Sequence, residues 1–215
     1  MALPNSLLYS GMASFIFPNQ TKFYQGKVRD VYTIDNRWLV MIASNRISAF
    51  DVILPRLIPN KGQVLNQVAA YMLNAVNDIC PNWLIDVPAP TASIGKKCDP
   101  FKIEMVVRGN LTGHAWRTYS SGKRKLCGIA MPERLKENDF FPSPIITPST
   151  KAEEGHDEDI SKDEIIERGL ADKDDWEQME SYALKLFAIS HSLTNSLLNC
   201  FCFSPFSWRA SKPSA

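Results

Sequence analysis

The sequence predicts a mixed chain of strands and helices in two lobes. Three observations carry this. Strand-like runs flank Gly26 and recur at "WLVMIAS" (Trp38 to Ser44). An amphipathic pattern follows at "GQVLNQVAAYMLNAVNDI". After a proline-punctuated stretch, "PNWLIDVPAPTASIGKKCDPF", a new strand and further helical patterns begin. At 215 residues the chain is long enough to bury a sizeable core.

The elements follow in order. "TKFYQ" and "VYTID" read as strands joined by a tight turn, "GKVR". "WLVMIAS" is a continuous apolar run, as expected of a buried strand. Val64, Leu65, Val68, Ala69, Met72, Leu73, Val76 and Ile79 recur at helical spacing and predict one helix. "KIEMVVR" (Lys102 to Arg108) predicts a strand, and "LTGHAWRTYSSG" a turn and a short helix ending at Gly122. The segment from Met131 to Ser161 is rich in proline and charge and reads as a long loop, a feature often tied to function. Ser161 and Glu164 form a capping-box pattern that opens a helix. Asp172 opens another, with Trp176, Met179, Ala183, Leu184, Leu186 and Phe187 at helical spacing. The expected division is an N-terminal lobe over 1–87, a partial second lobe over 88–189 and a divergent tail over 190–215.

Composition narrows the class. Hydrophobic residues make up 45% and charged residues 22%, ordinary for a globular protein. A net charge of +1 gives no support to nonspecific nucleic-acid or membrane binding. The five cysteines (Cys80, Cys98, Cys127, Cys200, Cys202) lack a CxxC pair and read as reduced thiols, with no metal site among them. The first twenty residues lack a basic n-region and are broken by Pro4 and Gly11, a poor signal peptide and too short to span a bilayer. The expectation is a cytoplasmic protein.

Four polar clusters could carry chemistry: Gly26, Lys27 and Arg29; "SNRISAFD" (Ser44 to Asp51); "RGNLTGH" (Arg108 to His114); and "TPSTKAEEGHDED" (Thr147 to Asp159). Glycine lets backbone approach an anion, and lysine and arginine supply charge, which suits phosphate. The plain alternatives stay open. A charged hairpin tip aids solubility, Arg46 can pair with Asp51 in its own loop, and an acidic run can be only a solvated loop. No Ser/His/Asp set, Walker motif or Rossmann motif can be assembled.

Taken in order, "GKVRDVY", "IASNRISAFDVILP", "IPNKGQVLNQ", "KIEMVVRGNLTG", "AWRTY" and "ITPSTKAEEGHDEDIS" resemble the phosphoribosylaminoimidazole-succinocarboxamide synthase (SAICAR synthetase) family, from about Phe15 to about Ile189. The resemblance implies a two-lobed α+β fold related to ATP-grasp enzymes, with the C-terminal part of the second lobe missing. It implies a ligase that joins carboxyaminoimidazole ribonucleotide (CAIR) to L-aspartate, splitting ATP with magnesium, in purine biosynthesis.

By that resemblance Gly26, Lys27 and Arg29 match the turn over the ATP phosphates, with Glu104 a further nucleotide contact. Asn45, Ser48 and Lys61 match positions at the reacting centre. Arg108 matches an arginine for the CAIR phosphate, with His114 nearby, and His156 and Asp157 match a pair near the aspartate site. Two positions depart from the usual pattern: Asn45 replaces a common aspartate and His114 a common serine. Relatives continue into D-x-K-x-E-[FY]-G and D-E-x-x-[ST]-P-D-x-x-R strings that carry the metal-binding acids, and neither occurs here. The segment from Ser190 has seven serines and no acidic residue. It is therefore expected neither to complete the fold nor to hold magnesium, to leave a sheet edge exposed, and to leave the chain by itself a poor catalyst. A small-molecule kinase, which lacks its HRD and DFG strings here, and a non-catalytic binding remnant are the competing readings.

Overall fold

The computed structural model describes residues 15–49, 52–151, 157–193 and 200–203. The chain divides into two compact units, Met1–Cys98 and Asp99–Ala215.

In the first unit, β1 (Gln20–Gln25), β2 (Arg29–Ile34) and β3 (Trp38–Ala43) form an antiparallel meander. The β2–β3 turn is closed by the Arg37 N–H donating to the Ile34 carbonyl at 3.0 Å. Asp35 and Asn36 between them have φ of 50° and 55°. That is the left-handed turn whose twist matches the strands, and short polar side chains tolerate it. A two-strand ribbon, β4 (Ser48–Ala49) and β5 (Val52–Ile53), leads to α1 (Lys61–Ala75). β6 (Leu84–Ala89) and β7 (Ala92–Lys96) then complete a five-stranded sheet in the order β1-β2-β3-β7-β6. The chain thus leaves this unit after β7, later than the boundary at residue 87 read from the prolines. Pro88 sits in β6, an edge strand, where a missing N–H costs no ladder bond.

β3 is central and apolar on both faces. Val40 and Ile42 pack with Tyr32 and Ala92 on one side, and Leu39 and Met41 with Trp83 on the other. The helix α1 forms where its periodicity predicts, but it buries a different face. Gly62, Asn66 and Ala70 are buried, whereas Val64, Val68 and Tyr71 are 60%, 56% and 63% exposed. Backbone proximity is the reason. A Cβ on Gly62 would lie 2.3 Å from the Ala43 carbonyl oxygen, so only small residues fit the side that meets β3.

The second unit is built on β8 (Ile103–Asn110), followed by α2 (Gly113–Ser120) and the hairpin β9 (Lys125–Leu126) and β10 (Ile129–Ala130). The stretch read as an irregular loop contains β11 (Phe140–Ile146) and β12 (Ser149–Thr150), both antiparallel to β8. Pro142 and Pro144 hid β11. They are accommodated where its register with β8 shifts between Phe140 and Ile145. α3 (Lys162–Glu167) has its capping box in place. In α4 (Lys173–Leu193) Asp172 caps the start, its carboxylate accepting from the Asp175 N–H at 2.7 Å.

Ile103, Met105 and Val107 alternate inward along β8 to meet Ile165, Trp176, Met179, Ala183 and Phe187. Leu184, counted with that stripe, is instead exposed. β13 (Cys200–Phe203) pairs antiparallel with β8, so along this stretch the sheet edge expected to lie open carries a strand. Residues 194–199 and 204–215 of the tail lie outside the described residues. No described helix is long and apolar enough to cross a membrane.

Candidate functional site

In the first unit the candidate residues gather around the β1–β2 turn. The Gly26 N–H, read as a donor for an anion, instead donates to the Arg29 carbonyl at 2.8 Å. Glycine is needed there because a Cβ would come within 2.9 Å of that same oxygen. The loop after β3 grips the turn. Arg46 Nη2 donates to the Gly26 carbonyl at 3.0 Å and Arg46 Nε to the Lys27 carbonyl at 3.3 Å. The Ser44 N–H and hydroxyl both donate to the Val28 carbonyl, at 3.0 and 2.9 Å. Arg46 also forks onto Asp30, with Nη2 at 2.6 Å from Oδ1 and Nη1 at 3.3 Å from Oδ2. Both side chains are buried. Arg46 therefore reaches Asp30 across the sheet; Asp51, the partner considered from sequence, lies outside the described residues.

The same loop holds the start of α1. The Gly62 N–H donates to Asn45 Oδ1 at 3.0 Å, and the Ile58 N–H to the Asn45 carbonyl at 3.0 Å. Lys61, one residue before Gly62, is brought close to Arg29 and Arg46. Burial and then the positive charges of Arg29 and Arg46 push its ammonium below the ordinary lysine range. Burial likewise lowers Arg29. Among the described residues neither Arg29 nor Lys61 has an ion-pair partner. Ser48 is half-buried on β4 and its hydroxyl makes no hydrogen bond among the described residues. Lys27 is exposed at the turn.

The second unit arranges its polar residues differently. Arg108 and Glu104 alternate onto one face of β8. Arg108 Nε donates to Thr147 Oγ1 at 2.8 Å, and the Thr147 N–H and hydroxyl donate back to the Val106 carbonyl. Glu104 is bonded by Lys151. His114, at the start of α2, lies with Nε2 2.6 Å from Asp159 Oδ2, and both side chains are 44% exposed. The Cys127 thiol is pushed up to about 12, by burial first and then by Asp159, while Arg108 acts the other way. That thiol is protonated and unreactive at neutral pH. Gly109 makes room for Phe187, whose ring would lie 3.0 Å from an added Cβ, and Gly113 adopts φ of +54°. Asp157 is exposed; His156 lies outside the described residues.

Sequence reasoning weighed Arg46 only against Asp51 and passed over Asp30, Thr147, Lys151 and Asp159 as partners. Strand alternation could have put Glu104 and Arg108 on one face; nothing in the sequence pairs Arg46 with Asp30. Among the described residues no group of three or more His, Cys, Asp or Glu side chains could hold a metal ion.

The family profile described as SAICAR synthetase matches residues 22–197. The phosphoribosylaminoimidazole-succinocarboxamide synthase of Cytophaga hutchinsonii is 61% identical over 173 residues, 80% of this chain and 56% of that protein. That of Azobacteroides pseudotrichonymphae is 56% identical over 188 residues, 87% of this chain and 58% of its own length. The chain thus spans little more than half the length of these relatives. Among solved structures, the SAICAR synthase of Saccharomyces cerevisiae, complexed with SAICAR, superposes with a TM-score of 0.77 at 27% identity, covering 90% of this chain and 71% of that one. A family profile along residues 22–197 and relatives at 61% and 56% identity agree: this chain belongs to the SAICAR synthetase family.

Proposed function

We propose that the chain carries binding machinery of an ATP-dependent carbon–nitrogen ligase that joins CAIR and L-aspartate to give SAICAR, ADP and phosphate in purine biosynthesis. The observation that carries this reading is the pairing of Arg29 and Lys61 beside the Gly26–Lys27 turn. Two half-buried cations with no carboxylate partner among the described residues disfavour each other, and an anionic ligand relieves that cost. Lys27 and Arg29, joined by Lys61, which the resemblance places at the reacting centre, would neutralise the ATP phosphates. In the second unit, Arg108, oriented by Thr147, would receive the CAIR phosphate, with His114 beside it. Asp157, and by resemblance His156, would belong to the aspartate side. Asn45 and Ser48 would lie by the reacting carboxylate, with Glu104 a further nucleotide contact. The product bound to the yeast relative supports the substrate class.

The chemistry has two displacements. A carboxylate oxygen of CAIR attacks the γ-phosphorus and ADP leaves. The aspartate amine then attacks the acyl carbon, phosphate leaves, and the amine loses a proton. A carboxylate alone is a poor electrophile, so activation comes first, and the protein acts mainly by positioning and charge neutralisation.

A second reading, a binding protein without turnover, rests on the Arg29 and Lys61 charges, which account for anion binding whether or not chemistry follows. An assay of residues 1–215 with ATP, magnesium and CAIR, with and without L-aspartate, separates them. Aspartate-dependent ADP and SAICAR support the ligase. ATP and CAIR binding without product supports the second reading, and ADP release that ignores aspartate contradicts both.

A further inference from the structure

We propose that Arg46 is a positioning residue of the nucleotide site, and that the amides it aims at the phosphates are those of Lys27 and Val28, not Gly26. The inference rests on the nucleotide reading of the turn. Three consecutive carbonyls, those of Gly26, Lys27 and Val28, all accept from the loop at residues 44–46. In a planar trans peptide the N–H points opposite to the C=O of the same unit. Drawing the Gly26 carbonyl toward Arg46 therefore turns the Lys27 N–H to the other side. Drawing the Lys27 carbonyl does the same to the Val28 N–H. Successive N–H groups facing one side make a concave anion site. The Gly26 N–H cannot join them, because it donates to the Arg29 carbonyl at 2.8 Å.

Arginine suits this task by shape. One planar fork meets two carbonyls and both oxygens of Asp30 at once, which a lysine ammonium cannot do. Asp30 neutralises the guanidinium, so the clamp's contribution to binding is geometric. Lys27, Arg29 and Lys61 supply the charge.

The test uses residues 1–215 with ATP and tripolyphosphate as probes. In amide NMR titrations of the wild-type chain with tripolyphosphate, the largest shifts are expected at Lys27 and Val28. The largest shift at Gly26 would overturn the proposal. In calorimetry, Arg46→Lys is expected to weaken ATP by about tenfold or more while leaving the ionic-strength dependence of Kd unchanged. Lys27→Ala is expected to weaken ATP and flatten that dependence. Asp30→Asn, which loosens the fork without touching ligand, should also weaken ATP, while the guanidinium charge it uncovers steepens the ionic-strength dependence. A lower Tm with unchanged Kd in both Arg46→Lys and Asp30→Asn means a merely structural clamp and overturns the inference, as does failure of both to fold. If the wild-type chain does not bind ATP, or Lys27→Ala binds it as tightly, the nucleotide reading itself fails. Loss on Lys27→Ala without loss on Arg46→Lys removes only the clamp.

Discussion

The two units handle positive charge in opposite ways. In the first, Arg29 and Lys61 stand near each other with no acidic partner among the described residues, while the one buried carboxylate beside them, Asp30, is engaged by Arg46. In the second, the basic residues are met by neighbours: Lys151 by Glu104, His114 by Asp159, and Arg108 by the hydroxyl of Thr147. Both clusters are basic, but they store different things. The first holds charge without an acidic partner among the described residues on braced backbone, which on the proposed reading would meet a highly charged ligand. The second holds cations already oriented by partners, which suits a single phosphate recognised by direction as much as by charge.

The largest effect that would break this contrast is on ligand affinity. Arg29→Met should weaken ATP binding by roughly 1.5–3 kcal/mol, the range for a charge-assisted contact, which is about tenfold or more. It should not lower the Tm of the free chain, because it removes a cation that burial already disfavours. Calorimetric titration and thermal unfolding on one preparation check both halves. Affinity unchanged together with a fallen Tm would mean that Arg29 is structural.

Arg108→Ala sharpens the other side. It should cost CAIR affinity of similar or somewhat smaller size, about tenfold, while leaving ATP binding in place. Unlike Arg29→Met it should also lower Tm modestly, since it strips Thr147 of its acceptor role toward Arg108. Equal losses for both ligands in competition titrations would erase the distinction between the clusters.

The smallest effect concerns pH. Lys61 has a lowered pKa in the folded chain, so the unfolded chain binds more protons between the folded value and the ordinary value of 10.5. Stability therefore rises with pH across that window as the strained charge is lost, and the penalty is fully present below it. Lys61→Met should raise the Tm of the free chain by about a degree or two at neutral pH and flatten its alkaline rise. It should also weaken ATP, since a bound anion favours the charged lysine. Thermal melts from neutral pH to the alkaline side, with and without ATP, read both, and a Tm that falls on substitution would contradict the charge cluster.

Much of the architecture was legible because it is local. "WLVMIAS" reads as a buried strand, the Ser161–Glu164 pair announces a helix start, and the Trp176–Phe187 stripe announces its buried side. β11 was not legible, because Pro142 and Pro144 mark loops except where a register shift admits them. The buried face of α1 was misjudged for a related reason. Hydrophobicity favoured Val64 and Val68, but the approach of Gly62 to the Ala43 carbonyl selected the small face.

The candidate site divides along the same line. The residue types able to hold phosphate, Lys27, Arg29, Lys61 and Arg108, are visible in the sequence, and so is the need for glycine in a tight turn. Which backbone groups face the ligand is not. That depends on Arg46 reaching across sixteen residues to Asp30 and twenty to Gly26, and on Asn45 reaching seventeen to Gly62. By itself the sequence determined the strands and helices, the turn between β1 and β2 and the chemistry available there, because dihedral preference and hydrophobic period act between near neighbours. Only the tertiary structure decided that Gly26 spends its amide internally, that three carbonyls turn toward residues 44–46 and that the charge of Arg29 acts on Lys61, because those partners are chosen by proximity through space, which no spacing along the chain records.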